Sequence, residues 1–165
     1  MEPTDLHVAE MLFVKCYKEA TVMHAKGMSK VDIVRTHFEV ENIHDMAAML
    51  ATLRDEDPIR EEIAGKTYVG QKAVADRYRA LWDAFPDFNV TPTGFTENEK
   101  TVVAEAIYSG THKGVFNGFQ PKGRSFKLPI VVVFRFDSPT SSKITSESIY
   151  LDYASHLRQL GLMEI

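Results

Sequence analysis

Residues 123–137 read Gly-Arg-Ser-Phe-Lys-Leu-Pro-Ile-Val-Val-Val-Phe-Arg-Phe-Asp. The even positions, Phe126, Leu128, Ile130, Val132, Phe134 and Phe136, are all apolar, and Ser125, Lys127, Pro129 and Arg135 alternate with them. Successive side chains of a strand point to opposite faces, so this spacing predicts a strand with one wholly apolar ladder turned to a core or a cavity. On the other face only Val131 and Val133 are apolar. That is the pattern of a central strand covered on its outer side by something else, for instance a second subunit. So long a ladder needs neighbouring strands and a helical lid.

Downstream, residues 138–143 form a polar turn, 144–153 a last strand and 154–160 a short helix closed by Gly161. Upstream, residues 114–123 are a glycine-rich connection, preceded by strands at 101–112 and 89–96 with the turn Glu97-Asn98-Glu99-Lys100 between them. A helix over 71–85 carries the aromatic stripe Val74, Tyr78, Leu81, Trp82 and Phe85, and Pro86-Asp87 ends it. Residues 59–68, with Glu61 and Glu62, read as a short edge strand or hairpin whose charges discourage mispairing. Before it come a helix over 30–41, capped by Ser29, and another that starts after His44 with Asp45 as its cap. Residues 5–21 place Ala9, Leu12, Phe13, Cys16, Tyr17 and Ala20 on one helical face. Helices first and strands afterwards give an α+β fold, with helices packed against an antiparallel sheet.

A length of 165 residues fits one domain with a real core. The net charge of −4 gives no electrostatic reason to expect nucleic acid or a membrane as partner. A single cysteine, Cys16, excludes an intrachain disulfide and fits a cytoplasmic setting. Glu2, Asp5 and Glu10 argue against a signal peptide. No histidine and carboxylate group stands at metal-ligand spacing, so no metal is expected. The glycines at 110, 114, 118 and 123 do not lead from a strand into a helix as a phosphate loop does, and are read as turn or bulge positions.

Several local words stand in order along the chain: Asn42-Ile43-His44-Asp45, Ala84-Phe85-Pro86-Asp87, Gly110-Thr111-His112-Lys113-Gly114 and Gly118-Phe119-Gln120-Pro121-Lys122-Gly123-Arg124. Phe134-Arg135-Phe136 and Tyr150-Leu151-Asp152 follow, with Gln159-Leu160-Gly161 seven residues after the aspartate. Together they resemble the SnoaL-like polyketide cyclase (ester cyclase) group of the nuclear transport factor 2-like superfamily. Lys122 stands where the group usually has threonine, and the turn at 138–142 is longer than usual. The resemblance divides the chain into an N-terminal helical extension over 1–28 and a SnoaL-like domain over 29–165. It implies a cone: a strongly curved antiparallel sheet around the helices, an apolar pocket open at one end, and a homodimer formed through the sheet.

The resemblance implies a role for Asp152, and the residues themselves offer further candidates. Asp152 would be the acid/base of an intramolecular aldol closure, its pKa raised by apolar walls, although the same residue is placed to cap the last helix. His44 is the second catalytic candidate, as a proton carrier at the pocket mouth. Tyr78, Trp82, Phe85, Tyr108, Phe134 and Tyr150 would hold a small apolar or polycyclic carbonyl ligand. In ketosteroid isomerase-like relatives the general base sits on the short strand after the third helix, where Glu61 and Glu62 stand here. The implied activity is cofactor-independent cyclisation or isomerisation, and the alternative is a non-catalytic binding or accessory module of the same fold.

Overall fold

The computed structural model describes residues 28–163. The helix expected over 5–21 lies outside the described residues. In chain order the elements are α1 (Lys30–Asn42), α2 (Met46–Thr52), β1 (Ile59–Glu62), β2 (Lys66–Val69), α3 (Gln71–Ala84), β3 (Asn89–Glu97), β4 (Thr101–Thr111), β5 (Ser125–Arg135), β6 (Ser146–Leu151) and α4 (Tyr153–Gln159). A single 3₁₀ turn, Ile63–Gly65, joins β1 to β2. All six strands form one curved, open sheet in the order β2-β1-β6-β5-β4-β3.

β5 is the central strand the sequence promises. It pairs with β4 along its whole length, from Thr111 opposite Ser125 to Thr101 opposite Arg135, and with β6 from Ile130 to Arg135. Its even residues, Phe126 to Phe134, and Phe136 just beyond its end are all buried. Proline is rare inside a sheet because it cannot donate to the ladder. Pro129 is tolerated because β6 ends opposite Ile130, one residue short of it. The N–H of Lys127, two residues earlier on the same edge, goes to the Gln159 side chain at 2.8 Å instead.

One expectation is corrected. The sheet is mixed, because β1 runs parallel to β6. Parallel neighbours need a long crossover. Here the crossover is α3 with β3–β5, which places β6 beside β1 only near the end of the chain. The register sets Arg60 opposite Glu147, and both face inward.

The helices fill the concave side. Ser29 and Asp32 form a reciprocal capping box on α1, which turns Ile33, Val34, His37, Phe38 and Glu41 inward. Asp45 caps α2 by accepting from Ala48 N–H at 2.9 Å. α3 buries Val74, Arg77, Tyr78, Leu81 and Trp82. Its C-terminus is met by Lys113 and Gly114, whose N–H groups both donate to the Ala84 carbonyl, at 2.9 and 3.1 Å. A side chain at Gly114 would strike the Asp83 carbonyl, so glycine is required there by close approach.

Candidate active-site cavity

Where α1, α3, β1 and β6 meet, the interior is charged. Arg60 on β1 donates from Nη1 to Glu147 Oε1 and from Nε to Glu62 Oε1, both at 2.8 Å. Arg77 on α3 donates from Nε to both oxygens of Glu62 at 2.8 Å. Tyr78 Oη donates to Glu147 at 3.0 and 3.1 Å, and His37 Nε2 lies 3.5 Å from the same carboxylate. The Arg60 guanidinium also stacks 4.3 Å from the Tyr78 ring centroid. A buried charge is stable only when it is paired and hydrogen-bonded, and these groups satisfy one another.

Titration follows the pairing. Burial works against the charge of Glu147, but Arg60 and His37 outweigh it and hold the carboxyl at about 2. Burial is likewise the largest influence on Glu62, and Arg60 and Arg77 overcome it, keeping that carboxyl below its usual range. Glu41 on α1 differs. It is buried, its Oε1 has no partner among the described residues, and desolvation lifts it to about 7 against the opposing influence of His37 and Arg60.

Beside this network lies a cavity of about 60 Å³, open to the surface. Its lining includes the charged Arg60, Glu62, Lys66 and Arg77, together with Tyr108, Asn117, Phe126, Tyr153 and His156. A single water occupies roughly 10–15 Å³ on this measure, so the room inside suits a few heavy atoms and not a whole polycyclic skeleton. α4 delivers His156 to the wall, its ring centroid 4.4 Å from that of Phe126. Burial chiefly, with His112 and Arg77 adding to it, lowers His156 to about 4, so its imidazole is neutral at neutral pH. Its Nε2 is buried and has no hydrogen-bond partner among the described residues. Burial and the charge of Glu41 raise the Tyr108 phenol well above its ordinary value, so it remains a proton donor.

The residues expected from the sequence are only partly gathered here. Tyr108 lines the cavity. Tyr78 sits behind it in the charged network, and Phe134 and Phe85 are fully buried core. Phe134 packs edge-on against Phe38 and His37, and Phe85 against Phe116 and Phe126. Trp82 is buried and stacks on His44 at 4.8 Å, so that pair forms a wall of its own away from the cavity lining. His44 has a left-handed backbone, φ 57°, at the turn into α2. Tyr150 is 54 % exposed on the outer face, which corrects its expected place in a pocket.

Asp152 needs the larger correction. Leu151 and Tyr153 on either side of it line the cavity, but its own side chain turns out and is 63 % exposed. It caps α4, accepting from Ser155 N–H at 3.0 Å and from the Ser155 hydroxyl. Those bonds pull its pKa below the ordinary carboxylate value, where apolar walls would have raised it. The reason is alternation: Glu147, Ile149 and Leu151 take the inward face of β6, so the chain turns into α4 at the one residue whose carboxylate can bond the free N–H groups there. Glu61 is exposed and accepts from Ser148, whereas Glu62 reaches the cavity.

Arg60, Arg77, Glu147, His37, Glu41 and His156 were not singled out from the sequence. A signal was present. Arg77 falls in the inward stripe of α3 between Val74 and Tyr78, His37 and Glu41 share the buried face of α1, and Glu147 shares the parity of Ile149 and Leu151. A polar residue at an apolar period is a buried polar residue, and several of them must pair.

Among the described residues, no helix is long and apolar enough to cross a membrane, and no group of three or more His, Cys, Asp or Glu side chains is placed to hold a metal ion. The family model of the SnoaL-like polyketide cyclases matches residues 31–160. No curated protein matches significantly. Among solved structures, a candidate polyketide cyclase from Pseudomonas putida KT2440 superposes with a TM-score of 0.74 at 20 % identity, over 81 % of this chain and 99 % of that one. IdmH, a candidate polyketide cyclase from Streptomyces antibioticus, gives 0.67 at 19 % identity, over 79 % and 97 %. A protein of ketosteroid isomerase-like fold from Catenulispora acidiphila, solved in complex with trimethylamine, gives 0.68 at 22 % identity, over 82 % and 96 %. At these identities the structural likeness speaks for the fold alone.

Proposed function

The chain belongs to the SnoaL-like polyketide cyclase family, and from that premise we propose that its cavity carries out acid/base proton transfer on a small carbonyl compound, with His156 as the base. The observation that carries this reading is the neutral imidazole of His156 among the residues lining the cavity. A neutral imidazole nitrogen that reaches the substrate accepts a proton from the carbon beside a carbonyl, while the C–H electron pair moves onto the carbonyl oxygen as an enolate. Tyr108 donates to that oxygen, and Arg77 supplies positive charge nearby. The imidazolium so formed is acidic and gives its proton back. Returned to another carbon, it isomerises the substrate; given to the alkoxide formed when the enolate attacks a second carbonyl, it completes a cyclisation.

In this reading Asp152 acts on the reaction only through α4. It caps the helix that carries His156, and His156 N–H donates to the Asp152 carbonyl at 3.0 Å. The binding-module alternative also has an observation in its favour, since Glu62 and Glu147 are both tied to arginines and neither is a free base. Deuterium exchange at the methylene of 2,4-pentanedione, followed by proton NMR, separates the two. Wild-type protein should accelerate exchange above the buffer rate. His156→Gln should lose about a hundredfold or more of that acceleration, and Asp152→Asn should keep most of it. A folded His156→Gln variant with wild-type exchange would remove the base from this account, and a wild type that binds without exchanging would favour the binding module.

The expected homodimer remains part of the proposal. On the outer face of the sheet, Val103, Ile107, Val131 and Val133 are only half-buried and Tyr150 is exposed, an apolar set over β4, β5 and β6 that Glu105, opposite Val131, interrupts.

A further inference from the structure

We propose that the cavity takes an anion: a short oxo acid whose carboxylate is held by Arg77 and Lys66. The carbonyl part of this assignment rests on the proton-transfer reading, and the carboxylate part does not. The first ground is an imbalance of charge. Arg60 and Arg77 are balanced by the carboxylates of Glu62 and Glu147, so Lys66, on the same lining, leaves the cavity one positive charge in excess, in a chain whose net charge is −4. Glu147 lies behind the wall and is already engaged by Arg60 and Tyr78.

The second ground is the guanidinium of Arg77. Its side chain is 8 % exposed, and Nε alone serves Glu62. Among the described residues, no acceptor is hydrogen-bonded to either Nη. The rings of Tyr68 and Phe116 stand 5.9 and 5.6 Å from its Cζ. Guanidinium donors on a cavity wall without an acceptor match the two oxygens of a carboxylate. A neutral carbonyl offers one acceptor and leaves the surplus charge in place.

Lys66 supplies the third ground. It begins β2, is exposed, and among the described residues makes only a long contact of 3.4 Å to Asn117 Oδ1, so its ammonium is placed to meet an anion entering the cavity. The volume then limits the acid to a short one, or to a short oxo-acid end on a longer chain that trails out of the opening.

Calorimetric titration of the full chain tests this with two probes of the same heavy-atom skeleton, acetoacetate and 2,4-pentanedione. Acetoacetate should bind at least about tenfold more tightly, and added salt should weaken it alone. Lys66→Gln, a change at an exposed position, should reduce the preference severalfold. Arg77→Gln should abolish it. Equal affinity for the two probes, or a preference that survives both substitutions, overturns the anion site. Exchange of 2,4-pentanedione with no preference for acetoacetate would sink this inference and leave the proton-transfer reading standing. Preference for acetoacetate without exchange of either probe would do the reverse.

Discussion

Replacing Glu41 by Gln should make the protein more stable at pH 8 and change it little at pH 4. In the fold the carboxyl titrates at about 7, against an ordinary value of 4.5, because burial disfavours its charged form. A raised acid contributes stability that is fully present below its unfolded pKa and is lost as pH rises through the folded one. At about 1.4 kcal/mol for each tenfold step, the displacement amounts to about 3 kcal/mol lost between pH 4.5 and pH 8. Glutamine keeps the volume and has no charge to bury, but leaves a buried amide without a full set of partners. We therefore expect a net gain at pH 8 of about 1–3 kcal/mol.

His156 acts in the opposite sense. Its pKa falls from 6.5 to about 4, so its contribution is present above pH 6.5 and lost as pH falls toward 4. The two groups offset each other in the wild type between pH 4.5 and 6.5, and the difference between variant and wild type isolates Glu41. Urea unfolding at half-unit steps from pH 4 to 8 measures it. A difference that stays flat across this range would refute the claim that burial raises the Glu41 carboxyl.

Other outcomes follow from the packing. Gly114→Ala should lower stability by about 1–3 kcal/mol or more, because its methyl meets the Asp83 carbonyl at the end of α3; a thermal melt checks this. Tyr78→Phe removes the hydroxyl donor from Glu147 and should destabilise by about 1–3 kcal/mol, with the loss fading in acid as Glu147 is protonated near pH 2. Val133→Asp places a charge in the middle of the outer apolar area, and light scattering should show it shifting a dimer toward monomer.

Most of the fold was legible in residues 123–137 and the stripes around them. The alternation of β5, the caps at Ser29 and Asp45, and the inward stripe of α3 stand as read. The parallel pairing of β1 with β6 was not legible, because a charged strand of four residues does not state its partner. The site was less legible than the fold. Asp152 was drawn to the pocket by its place in a family word, yet a carboxylate at the last residue before a helix bonds the helix's free N–H groups first. The arginines and Glu147 were hidden by the opposite habit, that of reading charge as surface. Only their period within apolar stripes, Arg77 beside Tyr78 and Glu147 in step with Ile149, marks them as interior.

The most direct measurement is the pH–rate profile of 2,4-pentanedione exchange by the wild-type protein, with Asp152→Asn and His156→Gln beside it. A catalysed rate is expected that rises through about pH 4, levels off above it, survives in the first variant and vanishes in the second. A profile unchanged by loss of the imidazole, or one abolished by the aspartate substitution while α4 stays folded, would contradict it.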